Sequence, residues 1–197
     1  QQGCVSLAGA IEGDPAFLSP SKSTAESVAG IVSTEVAALV EKYRETGGGP
    51  PIGRVVLGCT HFPLVQKEIA GAFATLRASK PGARDLIAGQ IEFVNPAELT
   101  AKELFRSLAS SRLRSKAGGS REGGKDTFFI SVPNPASAEA KITAGGTLET
   151  GYKYGRVTGR FEVEDTRNVP MDVTTLPESS RSLIQGRLPE VARRLSP

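Results

Sequence analysis

The stretch with the most chemical potential is Val55-Val56-Leu57-Gly58-Cys59-Thr60-His61-Phe62-Pro63-Leu64, where a thiol, a hydroxyl and an imidazole occupy consecutive positions. One of only two cysteines lies two residues from the single histidine of the chain. A helix N-terminus and a neighbouring imidazole both favour thiolate over thiol. A thiolate here would serve as nucleophile, metal ligand or base. Gly58 has no side chain, which lets a ligand approach the backbone, and Thr60 adds a hydroxyl to the same loop. The competing, purely structural reading makes Cys59 a small buried residue at a strand end and His61 a helix cap. For an isolated cysteine that reading is the default. The pairing with the lone histidine, at a strand-to-helix junction, shifts the balance towards function. A metal centre is disfavoured, because further ligands would have to come from carboxylates or Cys4 without recognisable spacing.

The elements that must position these groups read as an α/β alternation. Arg54 to Leu57 is short and β-branched and is followed by Gly58, the mark of a buried parallel strand. Pro63 suits a helix start, since its missing N–H is one the first turn leaves unpaired. Leu64, Ile69, Phe73 and Leu76 continue that helix. Upstream, Cys4 to Glu12 is small and apolar until it reaches the carboxylate, and Gly13-Asp14-Pro15 turns the chain. Ser23 and Thr24 are N-cap candidates for a helix to about Tyr43, with Val28, Val32, Val36, Leu39, Val40 and Tyr43 as its buried stripe. Gly47 to Pro51 stops it. Ile91 to Val94 reads as a second strand, and Pro96 opens a helix to roughly Leu113. Helix, strand, helix, strand, helix is the rhythm of a doubly wound, mostly parallel sheet, in which ligands bind beyond the carboxyl ends of the strands.

This gives three expected divisions: an α/β domain over 1–114, a Gly/Ser/basic linker over 115–126, and a carboxy-terminal extension over 127–197. In the extension, Thr127 to Val132 reads as a strand. The Tyr152-Lys153-Tyr154-Gly155-Arg156 stretch suggests a β-hairpin within 147–165, and Ser180 to Leu195 a closing helix with Leu183, Leu188, Val191 and Leu195.

Composition bounds the function. The 197 residues carry a net charge of +3 and include 22 glycines and 13 prolines, so loops should be plentiful. The basic balance does not read as nucleic-acid binding, because the charges are interleaved and there is no Trp for base stacking. The one local excess, Arg112, Arg114, Lys116 and Arg121, falls in the Gly/Ser-rich stretch and reads as a solvated linker. Two cysteines make no disulfide framework, and no apolar run suits a membrane span. A cytoplasmic setting without membrane attachment is expected. Because the chain opens Gln1-Gln2 directly on an apolar segment, further sequence is expected upstream.

The string Leu57-Gly58-Cys59-Thr60-His61-Phe62-Pro63-Leu64 resembles the second cysteine motif of glutamate racemases, with Phe62 for the commoner Tyr. Gly3-Cys4, followed eight residues later by Glu12, is similar to that family's Ala-Cys-Pro segment leading to an acidic pair; Val5 stands for the proline and Gly13 for the second acid. Phe93-Val94-Asn95-Pro96-Ala97-Glu98 resembles the strand-then-helix that follows. The resemblance covers about residues 1 to 113 and implies a cofactor-free, two-base proton transfer on glutamate. Cys59 is then implied as base for L-glutamate and acid in reverse. His61 would assist its proton transfers, Glu12 would hold or polarise His61, and Thr60 and Gly58 would face the substrate. His61 favours the glutamate branch over aspartate racemases, which usually place Glu there. The resemblance further implies D-glutamate for peptidoglycan and, for the full-length protein, a possible homodimer. The family's other catalytic cysteine lies in an amino-terminal Ala-Cys-Asn-Thr segment, and an Asp-Ser-Gly segment also serves the site. Neither occurs here, so the resemblance implies a partial doubly wound, racemase-like sheet that lacks its leading strands, and the chain is expected to carry one face of an active site and to be inactive alone. The alternatives are aspartate or hydantoin racemisation, or a non-catalytic remnant.

Overall fold

Among the described residues, the buried hydrophobic side chains all lie between Leu7 and Ile87, so their core is built by the first half of the chain. The computed structural model describes residues 1–113, 127–155, 157, 159, 164–172 and 175–195. The expected linker at 115–126 lies outside them, as do Arg114 and Arg156. The chain divides into two units, Gln1–Ser120 and Arg121–Pro197.

In the first unit, α1 (Leu7–Glu12) ends at Gly13, whose φ of 78° is the left-handed conformation glycine adopts without strain. A 3₁₀ turn, Pro15–Phe17, folds the Phe17 ring back onto α1. There a Cβ at Gly9 would stand 2.2 Å from the ring, so only glycine permits the approach. The long α2 (Thr24–Glu45) starts with a capping box: the Ser23 hydroxyl accepts from the Glu26 N–H, and the Glu26 carboxylate accepts from the Ser23 N–H. Val28, Val32, Val36 and Val40 recur every four residues and are buried together. They pack in the layer formed with α1 and with α3 (Gln66–Ser79), which contributes Ile69 and Phe73.

The sheet of this unit is a parallel pair, β1 (Ile52–Val56) and β2 (Ile87–Val94). Short α4 (Ala83–Leu86) leads directly into β2. Ile52 pairs with Ile87, but Arg54 pairs with Glu92, so β2 takes up extra residues in a bulge. β2 begins four residues before the sequence-predicted start at Ile91. β1 is parallel as expected, yet it is not buried on both faces. Arg54 and Val56 are exposed, Val56 by 64%, while Leu57 just beyond is fully buried. Helix α5 (Pro96–Ser110) buries none of its residues. Among the described residues the doubly wound arrangement therefore stops at a two-stranded sheet covered on one side. α5 also ends at Ser110 rather than Leu113.

The second unit holds β3 (Phe129–Pro133), α6 (Thr150–Tyr154), β4 (Thr166–Pro170), α7 (Glu178–Arg187) and α8 (Pro189–Leu195). Its antiparallel pair is β3 with β4, from Phe129 opposite Pro170 to Pro133 opposite Thr166. The hairpin expected within 147–165 is not found among the described residues. Tyr152, Lys153 and Tyr154 lie on α6, where Lys153 N–H donates to the Glu149 carbonyl and Gly155 N–H to that of Gly151. Aromatic β-propensity was overridden because the strand partner came from elsewhere. The closing helix is also two helices, broken at Leu188, because a residue before proline is pushed out of the helical region.

Candidate active site

Strand β1 delivers the site by ending where its pairing ends. Leu57 N–H donates to the Val94 carbonyl at 3.0 Å, extending the ladder by one residue, and Gly58 N–H then turns back to the Val56 carbonyl at 3.1 Å. A Cβ at Gly58 would meet nothing within 4 Å, so open space lies beside this backbone. Cys59, Thr60 and His61 follow. Phe62 N–H donates to the Cys59 carbonyl and Leu64 N–H to that of His61, which winds a 3₁₀ turn over Phe62–Val65. The α-helix proper begins only at Gln66, later than the Pro63 start expected from sequence. The first amides after the histidine are thus consumed within the turn or, at Pro63, absent. The helix-terminus field that the sequence placed next to Cys59 is correspondingly weaker there.

The three side chains nonetheless converge. His61 sits at the N-cap position of the turn but makes no capping hydrogen bond. Its ring instead bridges two elements: Nε2 lies 2.8 Å from Glu12 Oε1, and Nδ1 lies 3.9 Å from Cys59 Sγ and 3.4 Å from Thr60 Oγ1. The helix-cap role for His61 therefore gives way to a side-chain relay. Glu12 is placed by the end of α1, which Gly13 closes, and it is 49 residues from His61 in sequence. The side chains of His61 and Glu12 are 28% and 44% exposed, so the pair stands at the surface rather than in the core.

An ionised carboxylate only accepts, so the tautomer that satisfies the 2.8 Å contact with Glu12 is the one with its hydrogen on Nε2, and in that tautomer Nδ1 turns its lone pair towards the Cys59 thiol and the Thr60 hydroxyl. Both Nδ1 contacts are long for hydrogen bonds. Neither partner therefore commits the lone pair, and it is available to take the thiol proton. Glu12 would then face an imidazolium, the same division of labour as in a nucleophile–base–acid triad.

On its other side Cys59 lines a cavity of about 810 Å³, together with Gly58, Cys4 and apolar side chains of α2 such as Val32, Val36 and Leu39. His61, Glu12 and Thr60 do not line it. Cys59 is half-buried between the apolar cavity and the polar relay, not sealed in the core. Sequence reasoning did not foresee this cavity, nor the tie from Gln2 Nε2 to Glu35 Oε2 at 2.6 Å that holds its rim. Neither has a signal in local spacing. Among the described residues, no group of three or more His, Cys, Asp and Glu side chains is placed to hold a metal ion, and no helix is long and apolar enough to cross a membrane.

No protein-family model and no solved structure matches the chain. It is 28% identical over 129 residues to the glutamate racemase of Carboxydothermus hydrogenoformans, a match covering 65% of this chain and 39% of that protein. The chain spans about two-fifths of the length of that curated relative. At this identity and coverage, with its mixed α/β first unit, the chain is a distant relative of glutamate racemase.

Proposed function

We propose that this chain supplies one proton-transfer arm of a cofactor-independent amino-acid racemase acting on glutamate, with Cys59 as the acid/base. The observation that carries this reading is the Glu12–His61–Cys59 relay at the carboxyl end of β1. Inversion at a carbon needs a base on one face and an acid on the other. In the L-to-D direction, the Cys59 thiolate takes the α-proton. In the reverse direction, the Cys59 thiol returns one, and His61 Nδ1 holds the proton between turnovers. Glu12 stabilises the imidazolium, while Thr60 and the open backbone at Gly58 face the substrate's polar groups. The opposite thiol belongs to a segment that is not in this chain, so the 197 residues alone are not expected to racemise. D-Glutamate produced this way would serve peptidoglycan synthesis.

The test places substitutions in the protein that carries this chain and follows glutamate interconversion by circular dichroism. Cys59→Ala should lower kcat by roughly 10²- to 10⁴-fold, the usual contribution of a positioned acid/base. Glu12→Gln should cost about tenfold, the loss of one charge-assisted hydrogen bond of about 1.5 kcal/mol. Wild-type turnover in Cys59→Ala removes the reading altogether. Unchanged turnover in Glu12→Gln removes Glu12 from the relay and leaves Cys59 in place.

A further inference from the structure

Cys4 and Cys59 are the two cysteines of the chain. Both are free, both are half-buried, and both line the same cavity. Their surroundings differ in a way that sets an order of reaction. Cys59 has an imidazole nitrogen at 3.9 Å that can accept its proton, with Glu12 behind it. The polar neighbour of Cys4 is the Ser6 hydroxyl, also at 3.9 Å, which accepts no proton at neutral pH. Cys59 is therefore the thiol with a base in reach of its proton, which assigns it the first reaction with an oxidant.

Cys4 stands outside the regular elements of the fold. Residues 1–4 lie in neither helix nor strand. They are tied to α2 by side-chain contacts alone, Gln2 to Glu35 and Lys42 Nζ to the Gln1 carbonyl at 3.2 Å. No backbone ladder has to break for this segment to slide along the cavity wall. Two residues after Cys4, Ser6 leads into α1, whose far end reaches His61 through Glu12. The stretch from Cys4 to Glu12 thus borders the Cys59 loop.

We propose that Cys4 and Cys59 form a peroxide-responsive pair, in which Cys4 resolves oxidised Cys59 by closing a disulfide across the cavity. In the first step the Cys59 thiolate attacks hydrogen peroxide; an S–O bond forms, the O–O bond breaks, and hydroxide leaves as water after protonation. In the second step the Cys4 sulfur attacks Cys59 Sγ; the S–S bond forms, the S–O bond breaks, and the Cys4 proton leaves with the oxygen as water. Both sulfurs are oxidised and one peroxide is reduced. The disulfide removes the Cys59 thiol from any proton transfer and protects it from irreversible over-oxidation.

The experiment uses the 197-residue chain, dilute, with equimolar hydrogen peroxide, followed by trypsin without reductant and mass spectrometry. Its readout needs no turnover, so it stands or falls separately from the racemase reading. The expected result is peptide 1–22 joined to peptide 55–67 with the loss of two hydrogens, and free thiols falling from two to none and returning with dithiothreitol. In Cys4→Ser, Cys59 should accumulate as a sulfenic acid trapped by dimedone. Wild-type Cys59 gaining oxygen atoms while Cys4 stays reduced overturns the proposal, as does a disulfide found only between two chains.

Discussion

Helices α2 and α5 carry the same kind of pattern and meet different fates. In α2 the valines at 28, 32, 36 and 40 form one face and all are buried. In α5, Ala97, Ala101, Leu104, Phe105 and Leu108 share a face at equally regular helical spacing, yet nothing on α5 is buried and Phe105 is 74% exposed. Both helices begin with a side-chain cap, Ser23 for one and Asn95 for the other. Their difference lies outside themselves: α2 lies against α1, α3 and α4, while the side of β1 that shows Val56 is open. Periodicity reports that a face calls for cover. It does not provide the cover.

The contrast bears on function because the elements that carry the relay are anchored by buried neighbours. The sulfur of Cys59 is held by β1 and the 3₁₀ turn, next to Leu57 and Val65, both of which are buried. Glu12 is held by α1, whose Leu7, Ala10 and Ile11 are buried as well. The second unit offers no comparable scaffold, since among its described residues only Asp165 is buried.

The comparison breaks most sharply on large-to-small substitutions. Phe73→Ala, at a side chain 1% exposed, should lower stability by about 3–5 kcal/mol in urea unfolding. Phe105→Ala on α5 should stay within about 0.5 kcal/mol. If both cost the same, the α5 face is covered in solution and the contrast fails. A middle-sized effect separates the caps. Ser23→Ala should cost about 1 kcal/mol of global stability, because α2 belongs to the core. Asn95→Ala removes the bond from Ala97 N–H, and its loss should appear chiefly as faster hydrogen exchange in the first turn of α5. A global loss from Asn95→Ala would mean that α5 folds as part of the cooperative unit.

The smallest effect is a pH dependence confined to α2. The Ser23 hydroxyl, and then the Ser23 backbone N–H, hold the Glu26 carboxyl below the ordinary carboxylate range. A depressed folded value stabilises the native state above the unfolded carboxylate value and is lost as pH falls through the folded one. Helix signal should therefore weaken on acidification below about pH 4.5, the ordinary glutamate value, and Glu26→Gln should remove that component. A Glu26→Gln titration identical to wild type would show that the capping box does not form in solution.

The fold was legible where structure is local. The α2 start at Ser23, its valine stripe, the parallel character of β1 and the Pro96 start of α5 are all written in neighbouring residues, because caps, periodicity and proline act within a turn of where they stand. Legibility ended where partners are distant. The strand at 129–133 found its mate at 166–170, not in the Tyr-rich stretch, and that stretch became helical. Pro189 split a helix whose apolar spacing reads as continuous.

The candidate site divides along the same line. Residue types alone placed Cys59, Thr60 and His61 in one loop after a strand, since positions two apart in a turn cannot separate far. That Glu12 holds His61 was implied by the family resemblance and by nothing in the spacing; the contact with Nε2 across 49 residues, and the cavity that Cys4 shares with Cys59, belong to the tertiary structure. It also decided which apolar faces are covered and which stay bare. Short-range order follows from backbone sterics and hydrogen bonds between neighbours, whereas contacts between distant residues depend on the path of the whole chain, which no single segment encodes.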